Sequence, residues 1–151
     1  MSVRHLVLVL GDQLTLRSVA FEGFDPTRDR VLMIEAPNES EHVPSTKMRT
    51  ALFLSAMRHF ARAIAAQGWP LDYLRIGTHP FDTMSDALDD ALARLRPEAM
   101  VMAEAGEWRL EQAIARCCAQ SSGRSIFSNF GWSRSAGCRP LMIAVVIEGA
   151  R

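Results

Sequence analysis

The 151-residue chain has no surplus of positive charge, since Lys+Arg and Asp+Glu both number 17. Gripping nucleic acid depends on phosphate neutralisation and counterion release, so direct DNA binding by this chain is not expected. Cysteine is also sparse, with three in all, and no pair has metal-ligand spacing. Cys117 and Cys118 are chain neighbours that point in different directions around a helix, and Cys138 stands alone. That pattern gives no zinc or iron–sulfur site and reads as buried, inert thiols. No apolar run approaches the roughly 20 residues of a membrane span. The run after Arg4 and His5 stops at Gly11 without a small-residue cleavage site, so a cytoplasmic protein is expected. Glycine-rich phosphate loops are missing too. GDQL carries a single glycine where a dinucleotide site has GxGxxG, and GxxxxGK[ST] does not occur. Ser55 and His59 share a helical spacing, but no nucleophile elbow accompanies them, and no catalytic residue is assigned.

What the chain does have is a series of apolar runs that end on carboxylates. The first, LVLVLGDQL, spans Leu6 to Leu14. A strand with no polar alternation must be covered on both faces, as in a central strand of a parallel α/β sheet. Gly11 lets the chain turn, and Asp12 and Gln13 fall just past the strand's carboxyl end, where such sheets bind ligands. Asp12 could equally serve as a turn cap. A second run, Val31 to Ile34, closes on Glu35, and the polar loop after it, Ala36 to Pro44, carries Glu39.

The periodicity then predicts a helix from Ser45 or Thr46 to about Gln67. Its stripe is Phe53, Met57, Phe60 and Ile64, widened by Leu54 and Ala61, and Gly68 and Pro70 end it. Lys47 and Arg49 put positive charge at the positive end of that helix's dipole, which suits either solvated surface charge or a nearby anion or carboxylate. Leu71 to Ile76 reads as a third strand and His79 as a solvent histidine in the following loop. Thr83 caps a second helix with Asp86 three residues on, along a stripe of Met84, Ala87, Leu88, Ala91, Leu92 and Leu95. Ala99 to Ala103 is a fourth strand, and it delivers the loop Glu104-Ala105-Gly106-Glu107-Trp108-Arg109. The third helix begins at Glu107 and runs to about Ala119. Trp108 is either its first core residue or an aromatic wall for a flat ligand. Ile126 to Phe130 reads as a fifth strand, and Leu141 to Ile147 is an uncharged apolar run.

Alternating strands and helices with right-handed crossovers give a single α/β domain, a doubly wound parallel sheet of Rossmann-like type with strand order 3-2-1-4-5. Residues 1–123 form its body and 124–151 a divergent tail. In that order the loops after the first and fourth strands diverge and open a switch-point crevice. The crevice gathers Asp12, Gln13, Glu35, Glu104 and Glu107, a set of acceptors suited to a small molecule rich in N–H and O–H donors. Two other readings stay open. One is a small α/β enzyme using Glu35, Glu104 or Glu107 as acid or base. The other is an assembly module whose sheet edge, tail or bare face pairs with another chain, a homodimer included.

LVLVLGDQL, VLMIE with its loop, KMRTALFLSAMRHFARAIAAQGW and EAGEWR occur in an order that resembles the amino-terminal domain of the photolyase-related proteins, the iron–sulfur bacterial cryptochromes and (6-4) photolyases. The resemblance runs from about Val3 to Ala119. It implies an antenna domain that holds 6,7-dimethyl-8-ribityllumazine, while a larger helical domain carries FAD, the iron–sulfur cluster and DNA. On this chain it points to Gly11, Asp12, Gln13 and Leu14, to Glu35 and Glu39, and to Glu104, Gly106, Glu107 and Trp108. Leu14 and Leu32 would be apolar walls for the lumazine ring. Where relatives have YVxHHK, this chain has His42-Val43-Pro44-Ser45-Thr46-Lys47, keeping the lysine and losing the paired histidines. The resemblance fades after Gly123, so the expectation is a truncated photolyase-related protein without FAD or cluster, inactive in repair.

Overall fold

The computed structural model describes residues 3–37, 47–103, 105–122, 125–129 and 142–147. Among the described residues the strands and helices follow in the order β1 (His5–Val9), β2 (Arg30–Ile34), α1 (Lys47–Ala66), β3 (Leu71–Leu74), α2 (Met84–Leu95), β4 (Ala99–Ala103), α3 (Trp108–Ser122), β5 (Ser125–Asn129) and β6 (Met142–Ile147), alternating from β2 to β5. A single 3-10 turn, Val19–Phe21, lies between β1 and β2.

The sheet order is β3-β2-β1-β4-β6-β5. β1 pairs in parallel with β2 and with β4, and β2 with β3, so the 3-2-1-4 core of the expected doubly wound sheet is present. The strand next to β4 differs from the expectation. The apolar run Met142–Ile147 takes that place and pairs antiparallel with both β4 and β5. β5 therefore still runs parallel to β4, one position further out. An antiparallel pair needs no crossover helix, so a strand that returns from β5 can slip directly against the open edge of β4.

Side chains on successive strand residues point to opposite faces, and this divides the interior in two. Leu6, Leu8, Leu10, Leu32 and Ile34 face Met84, Leu88 and Leu92 of α2 and Ile114, Cys117 and Cys118 of α3. Val7, Val9, Val31 and Met33 face Met57, Phe60, Ala61 and Ile64 of α1. Each fully buried Val, Leu, Ile or Met contributes roughly 1.5–3 kcal/mol relative to exposure. Burial on both faces is why β1 and β2 read as unbroken apolar runs.

Local signals set the helix ends. The Thr83 hydroxyl oxygen accepts the Asp86 N–H at 3.1 Å while the hydroxyl donates to the Asp86 carboxylate at 2.6 Å, the capping arrangement expected at the start of α2. α2 ends on Arg96 in the left-handed region at φ 44°, its N–H donating to Leu92 O. Gly68, at φ +72°, turns the chain out of α1. Trp69 then packs against Phe21 and Phe24, with ring centroids 5.0 and 4.7 Å away. β3 stops at Leu74, two residues short of the expected Ile76, because the Ile76 N–H leaves the ladder for the Glu35 carboxylate. At the amino edge of the sheet, buried Asp29 accepts hydrogen bonds from the Arg4 guanidinium, the His5 N–H and the Asp25 N–H.

Candidate functional site

At the carboxyl edge, β1 runs out at Leu10 into a tight turn closed by the Gln13 N–H donating to Leu10 O at 3.0 Å. Gln13 also reaches across to β4, its side-chain N–H donating to Ala103 O at 3.4 Å. Asp12 lies over the loop after β4, with a carboxylate oxygen 3.4 Å from where a Cβ on Gly106 would stand. The loops after β1 and β4 thus meet where the strand order reverses, and a cavity of about 380 Å³ opens beside them. Val9, Leu10, Ile34, Ala36, Leu54, Met57, Met84 and Leu110 give it apolar walls. Asp12, Glu35, Arg49, Thr50 and Glu107 bring polar groups to it, and Gly11, Phe53 and Gly106 complete the lining.

Glu35 has a special place. It is 1 % exposed, and its carboxylate accepts from Arg58 Nε at 3.0 Å, Arg58 Nη2 at 3.1 Å and the Ile76 N–H at 3.0 Å, and from the Tyr73 hydroxyl. Burial pushes its pKa up, but the hydrogen bonds from Arg58, Tyr73 and Ile76 outweigh burial and hold it below the ordinary carboxylate range. The same contacts work in reverse on Tyr73, whose hydroxyl is pushed up by burial and by donating to a carboxylate. His79 supports the neighbouring backbone: Nε2 sits 2.9 Å from Glu35 O, Nδ1 accepts the Phe81 N–H, and the ring stacks on Phe81. It is a half-buried structural histidine rather than the solvent histidine expected, because the turn after β3 folds it back under β2.

The structure brings Gly11, Asp12, Glu35 and Glu107 together at one crevice, as the strand pattern implies, with Gln13 bracing the turn. Three residues expected at the site stand elsewhere. Leu32 is 0 % exposed inside the core on the α2 side, one turn of the pleat below the crevice. Leu14 has passed the turn and packs with the α1-side cluster. Trp108 opens α3 but is 70 % exposed, since the inward phase of that helix is set by Leu110 and Ile114. Glu39 and Glu104 lie outside the described residues, as do His42 to Thr46. Gly11 lies against the Phe53 ring: an added Cβ would come within 2.2 Å of Phe53 Cζ, so the ring would have to shift. The wall supplied by Phe53, Leu54 and Met57 carried a sequence signal, the α1 stripe, which alone reads as core. Cys117 and Cys118 are buried, and burial pushes the Cys117 thiol up to about 11 and that of Cys118 up to about 12, while Cys138 lies outside the described residues. Among the described residues no group of His, Cys, Asp and Glu could hold a metal ion, and no helix is long and apolar enough to cross a membrane.

A mainly parallel α/β sheet with an apolar, carboxylate-edged crevice at its switch point defines a Rossmann-like domain. Comparison with known proteins narrows the class. The family model of the deoxyribodipyrimidine photo-lyase-related protein matches residues 7–136. A (6-4) photolyase of Agrobacterium fabrum (strain C58 / ATCC 33970) is 34% identical over 111 residues, which make up 73% of this chain and 22% of that protein. The chain belongs to the photolyase-related family, and it spans about a fifth of the length of this relative.

Proposed function

We propose that this domain binds a planar, hydroxyl-bearing chromophore of lumazine type and serves as the antenna-type α/β domain of a photolyase-related protein. The observation that carries the reading is the crevice itself. Apolar side chains from both cores form its walls, and Asp12, Glu107 and Thr50 offer polar groups at its edge. Ring systems favour such walls, and ribityl hydroxyls favour carboxylate acceptors. A volume of about 380 Å³ lies within the range of small-molecule sites. A bound lumazine would supply absorption in the near ultraviolet and blue. The residues of this chain bind it, orient it and exclude water from it.

Light-dependent repair of DNA, with the FAD and iron–sulfur cluster it uses, is assigned in this proposal to regions of the family outside the matched domain. The reading of Glu35 as a general acid or base loses support from its hydrogen bonds, which already occupy the carboxylate with Arg58, Tyr73 and Ile76. Adding 6,7-dimethyl-8-ribityllumazine to the purified chain tests the antenna role. The expected result is saturable quenching or a spectral shift at micromolar concentration, weakened by Asp12→Ala. Unchanged lumazine spectra up to millimolar protein would overturn the proposal.

A further inference from the structure

We infer that Phe53 is the aromatic wall against which the planar ring of the ligand stacks, and that Gly11 is kept bare to seat it. This rests on the chromophore-binding reading and names the residue that recognises the ring. The α1 stripe Phe53, Met57, Phe60 and Ile64 lies along one side of the helix, and the last three are buried against β1 and β2. Phe53 is the first of the series and remains 45 % exposed, because at its level β1 has ended and only the turn after it lies below. The ring touches that turn closely. A Cβ on Gly11 would fall 2.2 Å from Phe53 Cζ, 2.5 Å from Cε1 and 3.2 Å from Met57 Sδ. Any residue other than glycine at this position would displace the ring. Gly11 is not in the left-handed region, so backbone conformation does not account for its need.

The ring also lines the cavity. One part of it is fixed on backbone, and the rest remains open to the site, as a stacking surface must be. A flat ligand in the cavity would bury the open part of the ring, which already rests against the turn after β1. Among the described residues no other aromatic lines the site, and Trp108, the aromatic that position alone suggests, is not in its lining.

Lumazine titrations of the full chain and of Phe53→Ala, Phe53→Leu and Phe53→Trp, followed by quenching, test the assignment. Phe53→Leu keeps apolar bulk without a π face and guards against a folding defect in Phe53→Ala. Loss of a stacking ring weakens binding on the order of tenfold to a hundredfold, so Phe53→Ala and Phe53→Leu should both fall by that factor while Phe53→Trp retains binding. Gly11→Ala should weaken binding in the native background by displacing the ring, and should lower Tm less in Phe53→Ala, where only Met57 Sδ at 3.2 Å stays close to the methyl. Equal affinity in the native protein and Phe53→Leu overturns the inference while the chromophore reading stands. Tighter binding by Phe53→Ala also overturns it, since the ring would then plug the crevice. If the native chain does not bind lumazine, both readings fall.

Discussion

Glu35 shows how many donors one buried carboxylate can hold at once. Its partners come from α1 and from the end of β3, so it clamps a helix and an edge strand to the tip of β2. Glu35→Gln keeps one acceptor oxygen but turns the other into an NH2 group that faces donors from Arg58, Tyr73 or Ile76, and hydrogen bonds to charged groups are worth roughly 1.5–3 kcal/mol each. Glu35→Gln should therefore lower stability by about 1–3 kcal/mol at pH 7. Glu35 and Asp29 are both held below the ordinary carboxylate range, against the upward push of burial. The unfolded chain then binds these protons more readily than the folded one. Their stabilisation is complete above the unfolded carboxylate values of roughly 4, and it is lost as pH falls through the lower folded values. Urea midpoints at pH 7 and pH 3 should show the native protein and Glu35→Gln converging in acid, and a gap that does not narrow would refute this. At this scale the sequence announces a carboxylate after a strand but not its use. Arg58, Tyr73 and Ile76 are 23, 38 and 41 residues away, and their convergence depends on the register of β2 and β3.

Among the elements, α2 was the most legible, because cap, stripe and stop signals all agree over twelve residues. Its two ends make opposite predictions. Thr83→Ala removes the acceptor for the Asp86 N–H and should cost about 1 kcal/mol. Arg96→Gly relieves a left-handed residue of its Cβ and should gain about 0.5–1 kcal/mol after the entropy of glycine is counted. Thermal melts of both single variants would reveal the opposite signs, and a loss in Arg96→Gly would contradict the strain. β4 was legible to the residue, because its five residues are all apolar and leave no polar residue to blur its limits. The place of β6 was not legible. Its apolar run signals a strand, but which edge it joins is decided by pairing across the sheet, and no local pattern records that partner.

At the scale of the molecule, alternation and handedness alone imply the meeting of the β1 and β4 loops, and Asp12 and Glu107 do line the same crevice. Rotational phase about a helix axis was harder. Trp108 and Phe53 each begin an apolar stripe, and only the packed structure shows that one turns to solvent and the other to the crevice.

The sheet keeps the two cores apart along its whole length except at the crevice, whose lining takes Leu10, Ile34, Ala36 and Met84 from one and Val9 and Met57 from the other. A ligand lodged there touches both at once. Its binding energy would then oppose opening motions on either face, although α1 and α3 share few direct contacts of their own. In hydrogen-exchange terms, occupancy should slow amide exchange in α1 and in the first turns of α2 and α3 together. Protection confined to one face would mean that the ligand rests on a single core, and that the domain responds to it as two halves instead of one body.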